Sequence, residues 1–91
     1  LSGTVFREVT LASPSGLHAR PCHSLVVLAG EFESRISLEH EGRKADAASI
    51  LSLMTLGAVQ GSVIHIEAEG PDAEQAADAV CALIENVGEP A

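Results

Sequence analysis

The chain has 91 residues, of which 46% are apolar, and a formal net charge of −8 from 13 acidic residues against five Lys and Arg. This composition predicts one folded domain spanning residues 1–91, and the acidic charge argues against nucleic acid and anionic membranes as partners. No apolar run approaches the ~20 residues of a membrane span, and no signal peptide is visible. We therefore expect a cytoplasmic protein with no direct membrane insertion.

The first third of the chain predicts a strand, a helix and a second strand. Apolar and polar residues alternate over 5–11, which is typical of a strand, and residues 13–16 have the composition of a turn. Apolar side chains recur at helical spacing over 19–29, and Gly30 is placed to end that helix. Alternation resumes over 32–39, which predicts a half-buried strand.

A hairpin and a short helix follow. Residues 40–42 predict the hairpin turn, and 43–46 a short return strand. A short helix is expected after Ser49, with Gly57 as its stop. Its apolar face is predicted to consist of Ile50, Leu53 and Met54.

The last third predicts a strand and a long helix. Residues 62–68 alternate so that Ile64, Ile66 and Ala68 point inward. Asp72 can cap the final helix, with Gln75 at the capping-box position. Its apolar stripe contains Ala73, Ala76, Ala77, Val80, Leu83, Ile84 and Val87.

The predicted element order is therefore β-α-β-β-α-β-α. Hairpins and polar alternation indicate an antiparallel sheet with helices on one face. The element order alone leaves the strand order open, because a ferredoxin-like sheet produces the same order of elements.

The residues that carry chemistry lie between 15 and 21. His18 stands directly before the first predicted helix, so its ring lies beside N–H groups that have no partner within the helix and that favour an anion. A neutral imidazole is a nucleophile for phosphorus, and the Arg20 guanidinium matches the geometry of phosphate. We expect Ala19 and Pro21, in the first turn, to complete a phosphate cradle.

This segment, GLHARP at residues 16–21, resembles the active-site signature of the HPr phosphocarriers. The resemblance covers roughly residues 5 to 87 with almost no gaps. It continues through ASIL at 48–51, LMTLG at 53–57, GSVI at 61–64 and AEG at 68–70.

The resemblance implies an α+β fold, the open-faced β-sandwich of HPr type, in which three helices cover one face of a four-stranded antiparallel sheet. It implies that His18 accepts a phosphoryl group from phosphorylated Enzyme I, itself charged by phosphoenolpyruvate, and passes it to sugar-specific A domains. Arg20 matches the family's phosphate-side arginine. Ser49 matches the serine that HPr kinase/phosphorylase modifies in some bacteria. We expect a monomer that needs no cofactor.

The chain departs from many HPr proteins in its partner-facing helices, which commonly carry lysines toward an acidic Enzyme I. Residues 21–30 and 50–56 hold no Lys or Arg, so steering by opposite charge should be weak. We expect apolar docking instead, through Leu51 together with Ile50 and Val27.

Cysteine and the remaining histidines have simpler interpretations. Cys22 and Cys81 form no C-x-x-C pair and lie at apolar helix positions, so we expect two reduced, buried thiols, although the spacing leaves a disulfide open. The other histidines are spread over a helix, a turn and an outward strand position: His23, His40 and His65. His23 is five residues past His18, so the two do not share a helix face, and the other two histidines lie in other elements. We therefore expect no metal site.

Three other functions remain open at this stage. The chain could be a regulator of HPr type that acts through Ser49 and protein binding, although an intact His18 and Arg20 count against that. It could be an HPr-like domain of a fused or nitrogen-branch phosphotransferase protein. It could also be a ferredoxin-like domain for a small ligand or RNA, although the acidic charge and the lack of aromatic residues disfavour RNA.

Overall fold

The structure is a computed structural model that describes residues 3–86. The predicted element order β-α-β-β-α-β-α is confirmed. The elements are β1 (Gly3–Thr10), α1 (Ala19–Ala29), β2 (Arg35–His40), β3 (Arg43–Asp46), α2 (Ile50–Met54), β4 (Val63–Gly70) and α3 (Ala73–Asn86). Within the described residues no helix is both long enough and apolar enough to cross a membrane.

The four strands form one antiparallel sheet in the order β1-β4-β2-β3. Val9 pairs with Ile64 and Leu38 pairs with Ile66, so apolar side chains of neighbouring strands lie side by side on one face. The helices cover that face, and α3 contacts both β1 and β4. The structure therefore has the open-faced sandwich expected from the resemblance.

The core lies between this sheet face and the helices. The largest fully buried side chains include Leu11, Leu25, Leu38, Leu53, Ile64, Ile66, Val80 and Ile84. The predicted stripe of α3 is confirmed as far as the structure describes it, because Ala73, Ala76, Ala77, Val80 and Ile84 are buried and Leu83 is partly buried. Val87 lies outside the described residues.

The start of β2 differs from the prediction, because the strand begins at Arg35 rather than at Phe32. The backbone N–H groups of Glu33 and Ser34 donate to the carboxylate of Asp72, each at 3.0 Å, and the Ser34 hydroxyl donates to it at 2.6 Å. These bonds lower the pKa of the Asp72 carboxyl. The side chain predicted to cap α3 thus ties the start of α3 to the segment before β2.

The β2–β3 hairpin is tighter than predicted and its tip contacts α2. Glu41 and Gly42 both have positive φ, as a two-residue turn of type I′ requires, and His40 is the last residue of β2 rather than part of the turn. The buried His40 ring donates from Nδ1 to the carbonyl of Leu56 at 2.9 Å. Arg43 donates to the carbonyl of Thr55 at 2.9 Å. The hairpin therefore satisfies carbonyls at the end of α2.

Met54 is also placed differently from the prediction. It belongs to α2 but is 44% exposed, whereas Leu53 is fully buried and Ile50 packs partly against the core. A five-residue helix makes little more than one turn, so only one of its apolar side chains points fully inward.

Both cysteines are free thiols, as expected for a reduced protein. Cys22 is fully buried as expected, whereas Cys81 is only half-buried, because it lies at the edge of the apolar stripe of α3. Burial raises the pKa of both thiols, so neither has the lowered pKa of a reactive cysteine.

Candidate functional site

The loop that leads to His18 is held against a second loop by close backbone contact. Gly16 has a φ of +75°, and a Cβ there would lie 2.6 Å from the carbonyl oxygen of Ala58. The next residue, Leu17, is buried and donates its N–H to the same carbonyl at 3.1 Å. Only glycine fits both the left-handed conformation and this approach. The contact fixes the position from which α1 starts.

His18 is the N-cap residue of α1. It is extended, with φ −105° and ψ −169°, and its carbonyl accepts the first helical hydrogen bond from the N–H of Cys22 at 3.0 Å. Its side chain makes no capping hydrogen bond and is only half-buried. The ring is therefore accessible, and its nitrogens are not used to cap the helix.

The first turn of α1 offers hydrogen-bond donors beside that ring. The backbone N–H groups of Ala19 and Arg20 precede the first donor that the helix can pair, and Pro21 has no N–H to leave unpaired. No acidic residue occupies this turn. The helix start therefore combines free donors with the positive end of the helix dipole, and it favours an anion.

Arg20 adds a full positive charge to the same turn. Its side chain is exposed and makes no ion pair with any residue between 3 and 86. Side chains of a helix tilt toward its N-terminus, so the guanidinium extends toward the helix start, where His18 lies. Ala19 is exposed beside it, whereas Pro21 is buried and anchors the turn. The structure brings His18, Ala19, Arg20 and Pro21 into one turn, and their roles as nucleophile and phosphate cradle stay a prediction.

Cys22 packs beneath this turn. Its side chain is fully buried, and its thiol is 3.9 Å from the carbonyl oxygen of Leu17. The helix start is thus seated on the core from below, while the His18 side of the turn stays open.

Ser49 is the N-cap of α2. Its hydroxyl accepts a hydrogen bond from the N–H of Ser52 at 3.2 Å, and its carbonyl accepts from the N–H of Leu53 at 3.0 Å. Its own N–H donates to the carbonyl of Asp46 at 3.0 Å. The hydroxyl therefore has a structural role in the unmodified chain, and the residue is only half-buried.

The predicted docking residues lie on the outer side of the helices. Leu51 is 78% exposed and Val27 is 53% exposed, whereas Ile50 is partly packed against the core. Two further apolar residues are also exposed, Met54 of α2 and Val59 of the loop after it. Val59 is next to the loop that leads to His18, because a Cβ on Gly16 would lie 3.2 Å from its Cα. Sequence reasoning missed Val59, since it sits in an irregular loop with no periodicity and its neighbour is far away in the chain.

The other histidines are not brought to His18. His40 is buried at the hairpin, and His65 lies on the outward face of β4 with its Nδ1 3.8 Å from a carboxylate oxygen of Glu8. His23 is exposed on α1. Among residues 3–86 no three His, Cys, Asp or Glu side chains are grouped to hold a metal ion.

Comparison with known proteins gives matches over nearly the whole chain. The family model for the "PTS HPr component phosphorylation site" matches residues 5–86. The phosphocarrier protein HPr of Cupriavidus necator is 44% identical over 80 residues, which are 88% of this chain and 90% of the relative. The phosphocarrier protein NPr of Shewanella violacea is 42% identical over 87% of each chain.

Solved structures agree with the sequence matches. The crystal structure of HPr from Bacillus anthracis superposes with a TM-score of 0.85 at 36% identity and covers 90% of this chain and 98% of that one. An HPr structure from Thermoanaerobacter tengcongensis gives a TM-score of 0.87 at 37% identity, over 96% of this chain and 98% of that one. The range matched by the family model includes both His18 and Ser49.

Proposed function

Because this chain belongs to the PTS HPr family of phosphocarriers, we propose that it accepts a phosphoryl group on His18 from phosphorylated Enzyme I and passes it to sugar-specific A domains. Phosphoenolpyruvate charges Enzyme I in this scheme. The observation that carries the proposal is the half-buried imidazole at the start of α1, which makes no capping hydrogen bond. A nucleophile in that position needs no side-chain rearrangement before it meets a donor.

The transfer step uses groups of the first turn. A ring nitrogen of His18 attacks phosphorus, the bond to the donor breaks as the N–P bond forms, and the electron pair of the broken bond stays with the donor. The phosphoryl oxygens then accept from the N–H groups of Ala19 and Arg20 and from the Arg20 guanidinium. Pro21 supports the turn and, because it has no N–H, adds no donor of its own. The second transfer, to an A domain, reverses these steps.

The test is phosphorylation with phosphoenolpyruvate, Mg²⁺ and the Enzyme I encoded in the same genome. Wild type should acquire one label that is labile in acid and stable in alkali, as a phosphohistidine is. His18→Ala should acquire none. His65→Ala removes an exposed histidine of the open sheet face and is the matched control, which should be labelled like wild type. Label that persists in His18→Ala would disprove the assignment.

We propose a second, regulatory role for Ser49, in which phosphorylation by HPr kinase/phosphorylase blocks partner docking. A phosphoserine at the start of α2 places about −1.5 to −2 charges two residues from the exposed Leu51. The helix start tolerates that charge, so the effect falls on docking rather than on folding. A monomeric state, a cytoplasmic location and a single domain over residues 1–91 remain predictions.

A further inference from the structure

A groove of about 810 Å³ lies where the end of α1 meets the start of β2, and it is here called the α1-end groove. Its volume is in the range of ligand-binding clefts. Its apolar lining comes from α1, from β2 and from the turn before α2: Val26, Ala29, Ile36 and Ala48. Residues 69–71, at the end of β4, line it as well. None of the residues assigned to phosphoryl transfer is part of this lining.

The rim of the α1-end groove is acidic. Glu33, Asp46 and Glu69 come from three separate parts of the chain, and all three are exposed. No Lys, Arg or His between residues 3 and 86 forms an ion pair with any of them. Among the described residues that line the groove, Arg35 is the only cation, and it stands opposite Glu69 in the β2–β4 register. The lining therefore carries more negative than positive charge.

The end of α1 adds to this negative field. Ala29 is the last residue of α1 and Gly30 is its C-cap, and both line the groove. The last turn of α1 contains no basic residue, so no side chain of that turn balances the partial negative charge at the helix end. A cation is therefore favoured here by a feature that is independent of the three carboxylates.

The spacing of these groups indicates what kind of cation fits. The three carboxylates are not grouped closely enough to share one metal ion, since no three His, Cys, Asp or Glu side chains of residues 3–86 are. An anionic ligand would meet the excess negative charge of the lining. Separate carboxylates around an apolar lining suit several cationic side chains on one backbone, and an extended segment alternates its side chains between two sides.

We propose that the α1-end groove binds an extended segment of a partner protein in which lysine or arginine alternates with small apolar residues. The cationic groups pair with Glu33, Asp46 and Glu69, and the apolar groups pack on the lining. Helix α1 has 11 residues and is about 16 Å long, and His18 lies at its other end. The partner therefore binds while His18 stays accessible, and it is neither the phosphoryl donor nor the acceptor. This inference goes beyond the proposed function and does not depend on it.

The first test uses a capped six-residue peptide in which lysine and valine alternate, added to the ¹⁵N-labelled protein at ~0.02 M NaCl. The NMR signals of the residues that line the groove should shift, whereas those of residues 15–21 should not. The affinity should fall at least about fivefold at ~0.2 M NaCl, because salt screens attraction between exposed charges. A peptide with glutamate in place of lysine should not bind. Absence of binding by the lysine peptide, or shifts outside the groove, would overturn the proposal.

The second test separates the groove from the general attraction of a chain with net charge −8. Glu33→Gln combined with Glu69→Gln removes two carboxylates of the rim and should weaken peptide binding at least about threefold. Glu74→Gln combined with Glu85→Gln changes the net charge equally at exposed positions of α3 outside the groove. This matched control should bind like wild type. Equal weakening by the two double variants would refute the proposal, because binding would then follow net charge alone.

The third test blocks the groove. Ala48 is exposed and lines it, so Ala48→Arg fills the space and repels a cationic segment, and binding should weaken at least about tenfold. Ala82→Arg adds the same charge at an exposed position of α3 and should bind like wild type. Undiminished binding by Ala48→Arg with unchanged circular dichroism would contradict the assignment. None of these measurements involves phosphoryl transfer, so failure of the proposed function and failure of this proposal are separate results.

Discussion

The two sides of the sheet present different side chains to water. On the open face, Glu8, His65, Glu39 and Lys44 form one row across four strands, and Lys44 also pairs with Glu67 at 2.8 Å. On the helix side, the outer surfaces of α1 and α2 and the loop after α2 expose apolar side chains, among them Val27, Leu51 and Val59. The open face therefore presents a row of charged groups to water, whereas the helix side exposes apolar groups that cost less to desolvate in an interface.

Of the substitutions considered, Gly16→Ala should have the largest effect, and that effect should fall on the helix side. A Cβ at φ +75° is strained and would meet the Ala58 carbonyl at 2.6 Å, so we expect a loss of about 2 kcal/mol or more in stability. Phosphoryl transfer should slow by more than about tenfold, because small displacements of reacting groups are costly. Gly42→Ala is the control at φ +84° with no atom within 4 Å. It should be destabilised by strain alone and should transfer normally, as urea unfolding and single-turnover labelling can test.

Arg20→Ala should slow transfer by about one to two decades, the equivalent of one charge-assisted hydrogen bond of roughly 1.5–3 kcal/mol. Its stability should change by only ~0.5 kcal/mol, since the side chain is exposed. Arg35→Ala is the counterpart on β2, where the guanidinium is also exposed and makes no ion pair among the described residues. It should transfer at the wild-type rate. A melting temperature that falls sharply in Arg20→Ala while transfer is unchanged would reverse its role.

Ser49→Asp should slow His18 phosphorylation at least about tenfold, since an unpaired charge in an interface can cost several kcal/mol. Aspartate also caps helices, so the variant should melt at or slightly above the wild-type temperature. Thr4→Asp adds the same charge to the exposed outer side of β1 and should leave transfer unchanged. Normal transfer by a well-folded Ser49→Asp would mean that the serine is only a cap.

Asp72→Asn should change the stability of the fold without changing phosphoryl transfer. The Asp72 pKa is lowered by hydrogen bonds from Ser34 and Glu33, so the folded state binds its proton less readily than the unfolded state does. The resulting stabilisation is present above the ordinary aspartate pKa of about 3.9 and is lost as the pH falls through the folded-state value. Asp72→Asn should therefore be less stable than wild type at pH 7, and the gap should narrow in acid. A gap that is equal at all pH values would rule out the charge as its cause.

Local patterns predicted most of the fold. The bounds of α1 and β3 agree with the structure because apolar spacing and a following glycine or turn define them within a few residues. The strand order has no such local signal, and only the resemblance decided it. The start of β2 was wrong because the carboxylate of Asp72, far along the chain, takes the N–H groups of Glu33 and Ser34.

In the candidate site, too, local sequence patterns predicted some features and long-range packing determined others. The helix start, His18 and Arg20 form one continuous segment, so their geometry could be predicted from local rules for helix termini. Val59 could not be predicted, because it reaches the site only through the packing of two loops. His40 appeared to be a turn residue because nothing local indicates that the hairpin closes over the end of α2.

The closing of the β2–β3 hairpin over the end of α2 has a consequence for binding entropy. Helix α2 has five residues, and a helix so short does not persist in water by its own hydrogen bonds. Here it is clamped at both ends, by the Ser49 hydroxyl at its start and by donors from His40 and Arg43 at the carbonyls of its end. Leu51 is thereby presented on a backbone that is already ordered before a partner arrives. In the proposed docking through Leu51, association therefore costs little more than the rotamers of a few side chains.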